Sequence, residues 1–255
     1  MSTARRNANR AQYDDAAGRL PDLNVLNYGF ASDSAATVVP ADAPERYCLQ
    51  LYEHVVRGAQ LAGANVLEVS CGRGGGAAFL ARAFNPRHYV GVDLSEGNVA
   101  LARERHAAPN LEFRVGVAET LDLPDASFDV VINVEASHLY DDRKAFFAEV
   151  CRVLVPGGRF CYADGGWRDD DVAPDLLAAG LRMLDRQDIT ANVVRALELD
   201  SARRAAVVEE IPDEASRTAY LDWSGVVGYR AYQRLAEGEA RYFSCLLERP
   251  KTEKR

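Results

Sequence analysis

Cysteine is sparse and unpaired in this chain of 255 residues: Cys48, Cys71, Cys151, Cys161 and Cys245 make no C-x-x-C pair and have no histidine at metal-ligand spacing. A disulfide framework and a zinc module are thereby excluded, and no metal is expected. Long apolar runs are also missing. Nothing approaches the ~20 residues that span a bilayer, and Met1 to Arg10 lack the apolar stretch of a secretory signal. These absences predict a cytoplasmic protein without membrane insertion. Positive charge is the minority, 30 Lys and Arg against 38 Asp and Glu for a net −8, which argues against a nucleic-acid surface. A neutral or cationic small molecule suits that balance better. There is no internal repeat and no low-complexity segment. With 48% apolar and 27% charged residues, the composition is that of one globular core carrying an insertion. A homo-oligomer is compatible with it.

The chain is organised around Asn65 to Ala77, NVLEVSCGRGGGA. Val66, Leu67 and Val69 run into Gly72, Gly74, Gly75 and Gly76, the pattern of a buried strand breaking into a tight turn before a helix. Phe79, Leu80, Ala83 and Phe84 then recur at helical spacing. Glycine permits positive φ and close approach of backbone to a ligand. Ser70, Cys71, Gly72 and Gly74 are therefore candidate cofactor contacts. The glycines alone leave a dinucleotide open, because Gly72-x-Gly74-x-x-Ala77 fits that fingerprint and Asp93 lies about 20 residues on. Glu68 favours another ligand. A carboxylate at the strand end repels a pyrophosphate and attracts an ammonium and a sulfonium, as in S-adenosylmethionine (SAM).

Upstream, residues 1 to about 43 read as a mobile arm or short helix. Cys48, Leu51, Tyr52, Val55 and Ala59 then mark an amphipathic helix after Pro44. Downstream, His88 to Asp93, Leu111 to Val115, Phe128 to Val134 and Arg159 to Asp164 read as strands two to five. Asp93, at a strand's carboxyl end, suits the two hydroxyls of a ribose, with Leu94 against the adenine. Asn133 would face the methionine part. Ser95 and Asp141 or Asp142 are candidate helix caps. Between about 183 and 190 lies a sixth strand and at 242–248 a seventh. A helical insert over about 191–238, with Tyr220, Trp223, Tyr229 and Tyr232, is longer than a connection requires and would cap a bulky, partly apolar acceptor.

Glu68-x-Ser70-x-Gly72-x-Gly74, Val90-Gly91-Val92-Asp93, Ala118-Glu119, Phe128-Asp129-Val130-Val131 and Leu154-x-Pro156-Gly157-Gly158 together resemble the class I SAM-dependent methyltransferases over about residues 65 to 165. Ser70 stands where many relatives carry glycine. The resemblance implies an α/β, Rossmann-like seven-stranded mixed sheet with helices on both faces. It also implies SAM as cofactor and S-adenosylhomocysteine as product. The expected segments are 1–60 as arm and helical cap, 61–190 as SAM-binding core, 191–238 as helical lid and 239–255 as last strand and tail. It further implies that Tyr28, in Leu26-Asn27-Tyr28-Gly29-Phe30, closes over cofactor and substrate, and that Ala118 and Glu119 recognise adenine.

Glu135-Ala136-Ser137-His138-Leu139-Tyr140 follows the fourth strand, at the sheet edge where open α/β folds bind ligands. Histidine, with an ordinary pKa near ~6.5, suits removal of a proton from a nucleophile. In the natural-product O-methyltransferases that the chain resembles, a histidine here and an aspartate after strand five line the acceptor pocket. His138 and Asp164 occupy those places, with Glu135 as a third polar candidate and Trp167 as a candidate pocket wall. The expectation is methyl transfer to a hydroxyl of a small-molecule secondary metabolite. Carbon methylation, a SAM-binding cyclase or isomerase and, more distantly, an NAD-dependent oxidoreductase are the alternatives.

Overall fold

A computed structural model describes residues 3–32 and 36–251. β1 (Asn65–Val69), β2 (His88–Asp93), β3 (Leu111–Val115) and β4 (Phe128–Val134) are joined by β5 (Leu154–Trp167), β6 (Arg182–Asp188) and β7 (Ala240–Glu248) in one sheet of order β3-β2-β1-β4-β5-β7-β6. The first five strands pair in parallel, while β7 runs antiparallel to both β5 and β6. This is the mixed sheet expected from the sequence. Alternate side chains of a strand face opposite sides. Val66, Val130 and Ile132 accordingly pack under α2 (Arg46–Val55) and α3 (Gly75–Phe84), and Leu67 and Val131 under α5 (Arg143–Val153). Burial on both faces explains why β4 reads as a near-continuous apolar run.

The chain order reverses between β1 and β4, so loops leaving their carboxyl ends diverge and open a crevice. α2 closes its floor. Cys48, Leu51, Tyr52 and Val55 are buried as the periodicity requires, but Ala59 lies beyond the helix end. At Gly76 a β-carbon would stand 2.1 Å from the Tyr52 ring, so this glycine is needed for the helices to meet. In α4 (Glu96–Arg105) the Ser95 cap and the inward Val99 and Ala102 are as expected. Asp142 caps α5 by accepting from the Ala145 amide.

Several boundaries differ from expectation. Of the two expectations for the N-terminal stretch, mobile arm or short helix, residues Thr3–Arg19 take the helical one and form a 17-residue helix, α1. Its length is hidden in the sequence, because Ala16 and Ala17 are its only buried apolar residues and polar bonds hold much of the rest. Ala83 is exposed and Phe84 half-buried, since α3 turns its Ala77 and Leu80 face to the sheet. β5 begins at Leu154 and contains the Pro156-Gly157-Gly158 stretch, which appears as a register shift against β4. β6 stops at Asp188 because that side chain accepts from the Thr190 amide and hydroxyl, starting a helix. A short helix, α6 (Ala173–Ala178), lies between β5 and β6. The insert before β7 consists of α7 (Thr190–Val208), α8 (Glu214–Trp223) and α9 (Arg230–Ala236). Among the described residues no helix is long and apolar enough to cross a membrane.

Candidate active site

Two clefts open at the carboxyl edge of the sheet. The first, of about 700 Å³, is bounded by Ser70, Cys71, Gly72, Asp93 and Leu94, and by Tyr13 of α1. A side recess includes Leu94, Ala118, Glu119 and Tyr140. Asp93 is 8% exposed. Its Oδ2 accepts from the Gly72 amide at 2.8 Å, and its Oδ1 from the Ser95 amide at 2.9 Å and the Asn98 side chain at 3.3 Å. A carboxylate offers about four acceptor sites. Oδ2 therefore keeps one for a ligand hydroxyl, while a second hydroxyl shares Oδ1 with the long Asn98 bond. Burial pushes the Asp93 carboxyl up, against those donors.

The turn glycines divide by role. Gly72 has φ of 55°, and a β-carbon there would meet nothing nearer than the Leu26 side chain at 3.6 Å, so its space is cleft. Gly74 also has positive φ, but a β-carbon on it would stand 2.5 Å from the Phe113 ring. Its glycine serves packing of α3 on β3, not a ligand. Ser70 adopts φ of 61°, a conformation favouring glycine, and is held by a 2.6 Å hydrogen bond between its Oγ and the Tyr140 hydroxyl.

Glu68 departs from the expectation for it. The side chain is fully buried, its two oxygens accept from the Tyr52 hydroxyl at 2.7 Å and the Tyr89 hydroxyl at 2.6 Å, and it lines none of these clefts. Side-chain alternation in β1 puts it under the floor, so it braces Tyr52, which does line the first cleft. Burial pushes its carboxyl up to about 7 despite both donors. Between about pH 4.5 and 7 the native state thus holds more protons than the unfolded chain, and stability falls as pH rises through that window. Glu68→Gln should flatten this fall, as read from urea midpoints between pH 5 and 8; an unchanged slope would contradict it. Asn133 is likewise fully buried and absent from the cleft walls. Its amide donates to the Val69 carbonyl and to the Tyr140 hydroxyl, each at 2.9 Å, so it acts through Tyr140.

The second cleft, of about 810 Å³, is bounded by Tyr28, Glu135, His138, Arg203 and Trp223. It adjoins the first, since Tyr13, Val25, Leu26, Glu135 and Leu139 line both. Here the sequence expectation for His138 and Asp164 meets a specific geometry. His138 Nδ1 lies 2.7 Å from Asp164 Oδ1, while Asp164 Oδ2 accepts from the His138 amide at 3.0 Å and from Ser137 Oγ at 2.7 Å. Burial alone would lower the His138 pKa, but attraction to Asp164 and their hydrogen bond outweigh it and the net shift is upward. Burial alone would raise Asp164, and His138 with the surrounding donors brings it below its ordinary value.

Tyr28 borders this second cleft but not the first, and its amide donates to Glu135 Oε2 at 2.8 Å. Glu119 accepts from the Asp141 amide at 3.1 Å and lies 3.5 Å from the Arg6 guanidinium. Of the four insert aromatics only Trp223 lines either cleft; Tyr220 donates to Asp15 and Tyr232 to Glu198. Trp167 is 56% exposed and carries the Arg234 guanidinium over its ring at 4.7 Å, on a recess behind the dyad. Sequence reasoning gave no site role to α1, whose Asn9, Arg10 and Tyr13 line the first cleft, and whose Arg5 and Asn9 donate to the His138 and Leu139 carbonyls. Side-chain-to-backbone bonds across more than a hundred residues leave no local signal.

Residues 67–162 match the family model described as a methyltransferase domain. The chain is 39% identical to the fatty-acid O-methyltransferase of Mycolicibacterium smegmatis, across 92% of this chain and 87% of that one. The chain belongs to the class I SAM-dependent methyltransferases. It is also 41% identical to the phthiotriol/phenolphthiotriol dimycocerosates methyltransferase of Mycobacterium tuberculosis, across 87% of this chain and 83% of the relative. Among solved structures, the cyclase SpnF superposes with a TM-score of 0.76 at 21% identity, covering 95% of both chains. Geranyl diphosphate C-methyltransferase from Streptomyces coelicolor gives 0.71 at 19% identity, covering 97% of this chain and 99% of that one. At those identities the structural likeness speaks for the fold alone.

The cofactor of this methyltransferase is SAM, and the first cleft fits it. A nearly buried carboxylate with an acceptor site to spare stands beside clearance over Gly72.

Proposed function

We propose that this methyltransferase acts on a hydroxyl oxygen of an apolar small molecule seated in the second cleft, with His138 as general base and Asp164 as its orienting partner. The supporting observation is the 2.7 Å contact from His138 Nδ1 to Asp164 Oδ1. It fixes the tautomer with the proton on Nδ1 and leaves Nε2 as the acceptor. In this reading Nε2 takes the hydroxyl proton, and the buried Asp164 carboxylate stabilises the resulting imidazolium. SAM, when bound, supplies an electrophilic methyl group on a sulfonium. The protein's task is then alignment and proton removal. α1 and the segment around Tyr28 cover the two clefts and exclude water. Asp93 and Gly72 would hold the nucleoside, Leu94 and Ala118 its adenine end, and Ser70, Cys71 and Tyr140 the rest of the wall.

Relatives named for fatty-acid and phthiotriol/phenolphthiotriol dimycocerosate acceptors support an apolar acceptor, and the name fatty-acid O-methyltransferase supports an oxygen nucleophile. The test uses methyl-labelled SAM, a panel of long-chain alcohols and carboxylic acids, and product analysis by NMR. Label on a former hydroxyl oxygen is expected. Label on carbon, label on a carboxylate alone, or a converted product without label would each overturn the assignment.

A further inference from the structure

Glu135 has no part in the proton transfer proposed above, yet it sits where the two clefts meet. It opens the loop after β4 with a positive φ of 52°, a backbone state that a non-glycine residue keeps only when surroundings hold it. Both holders act on one oxygen: Oε2 accepts from the Tyr28 amide at 2.8 Å and from the Tyr242 hydroxyl at 2.9 Å. Among the described residues Oε1 accepts no hydrogen bond. The carboxylate is therefore clamped by one oxygen and free at the other. Glu135 lines both clefts, whereas His138 lines only the second of the two, so Glu135 stands on the cofactor side of the acceptor.

Oε1 is not among the buried atoms left without a partner, so it opens to the clefts that Glu135 lines, where a ligand donor can take the place of water. The hydroxyl that gives its proton to His138 has none left for Glu135. We propose that Oε1 of Glu135 receives a second hydrogen-bond donor of the acceptor, a hydroxyl or an ammonium on a carbon adjacent to the methylated oxygen. The preferred acceptors are then vicinal diols or amino alcohols, since a simple alcohol offers Oε1 no donor of its own. This rests on the hydroxyl-methylation reading and narrows it to a substrate class. Facing Glu135 are His138 on its own loop, Asp164 of β5 and Tyr242 of β7; burial pushes its carboxyl up to about 7, so the preference strengthens with rising pH.

The experiment measures binding, not turnover, on the full-length protein saturated with S-adenosylhomocysteine, by calorimetry at pH 6 and pH 8.5. The probes are 1-octanol, 1,2-octanediol and 2-amino-1-octanol. At pH 8.5 the wild type should bind the diol or the amino alcohol at least about tenfold tighter than the simple alcohol, as a hydrogen bond to a charged group allows. The tighter of the two identifies the donor as hydroxyl or ammonium. In Glu135→Gln, whose amide can still accept from Tyr28 and Tyr242 but puts an NH₂ at the free position, the ratio should fall to about two or less. Equal binding of all three probes by the wild type would overturn the proposal even if the variant failed to fold. So would an unchanged ratio in a folded variant. Because no methyl transfer is read, an intact preference without hydroxyl methylation would count against the proposed function alone. Hydroxyl methylation without the preference would count against this inference alone.

Discussion

His138→Ala lowers kcat by about 10²–10⁴-fold, the usual contribution of a positioned general base, while affinity for SAM changes little. The affinity is spared because His138 lines the second cleft, proposed for the acceptor, and not the first. The pH profile carries the sharper signature. Only the neutral imidazole can take a proton, so activity rises with pH through the His138 pKa, which the structure sets above its ordinary 6.5. Asp164→Asn removes the attraction that raises it, so the acidic limb of kcat/KM should move to lower pH while kcat drops. Groups facing the ring from other elements, Arg5 of α1 and Glu135 at the end of β4, remain in that variant. Asp164 also anchors Ser137 and the His138 and Gly165 amides, so thermal melts of the variant must accompany the kinetics. Unchanged kcat in His138→Ala, or an acidic limb that stays in place in Asp164→Asn, would remove the dyad from the mechanism.

Asp93→Ala weakens binding of SAM and of S-adenosylhomocysteine by about 10²-fold. A charge-assisted hydrogen bond contributes ~1.5–3 kcal/mol, and the substitution also leaves three donors unpaired: the Gly72 and Ser95 amides and the Asn98 side chain. The Gly72 turn proposed to hold the nucleoside is thus loosened together with the loss of the carboxylate. Calorimetric titration with S-adenosylhomocysteine checks the number, and the shift of melting temperature at saturating ligand gives an independent reading by mass action. A dissociation constant within threefold of the wild type would show that Asp93 is only the brace of the Gly72 turn.

The pair Glu68 and Asp93 shows where sequence reasoning works and where it stops. Both are acidic and both belong to parallel strands beside the glycine turn. Asp93 is the last residue of β2, so its side chain emerges at the strand end beside the cleft. Glu68 is one residue short of the end of β1, and a single step of alternation places it beneath the floor, on Tyr52 and Tyr89. The charge argument for a sulfonium reached the correct cofactor through a residue that does not touch the cleft. Among the turn glycines, likewise, pattern alone cannot separate Gly72, which clears space for a ligand, from Gly74, which admits Phe113.

Local patterning was sufficient for what local physics controls. Apolar alternation and continuous apolar runs marked the strands, glycine marked the turn at Gly72, and Ser95 and Asp142 announced their helices, because strand pairing, turns and caps depend on neighbours along the chain. The order of motifs sufficed for the family, and the position of His138 after β4 for a candidate base. Tertiary structure alone decided that a polar helix at the N-terminus lines the first cleft, that Asp164 lies 2.7 Å from His138, and that Glu135 is clamped through one oxygen by Tyr28 and Tyr242. Those contacts join residues 26 to more than 100 positions apart. Hydrogen bonds across such distances are set by how the sheet and its covering helices pack, which no periodicity in the chain encodes.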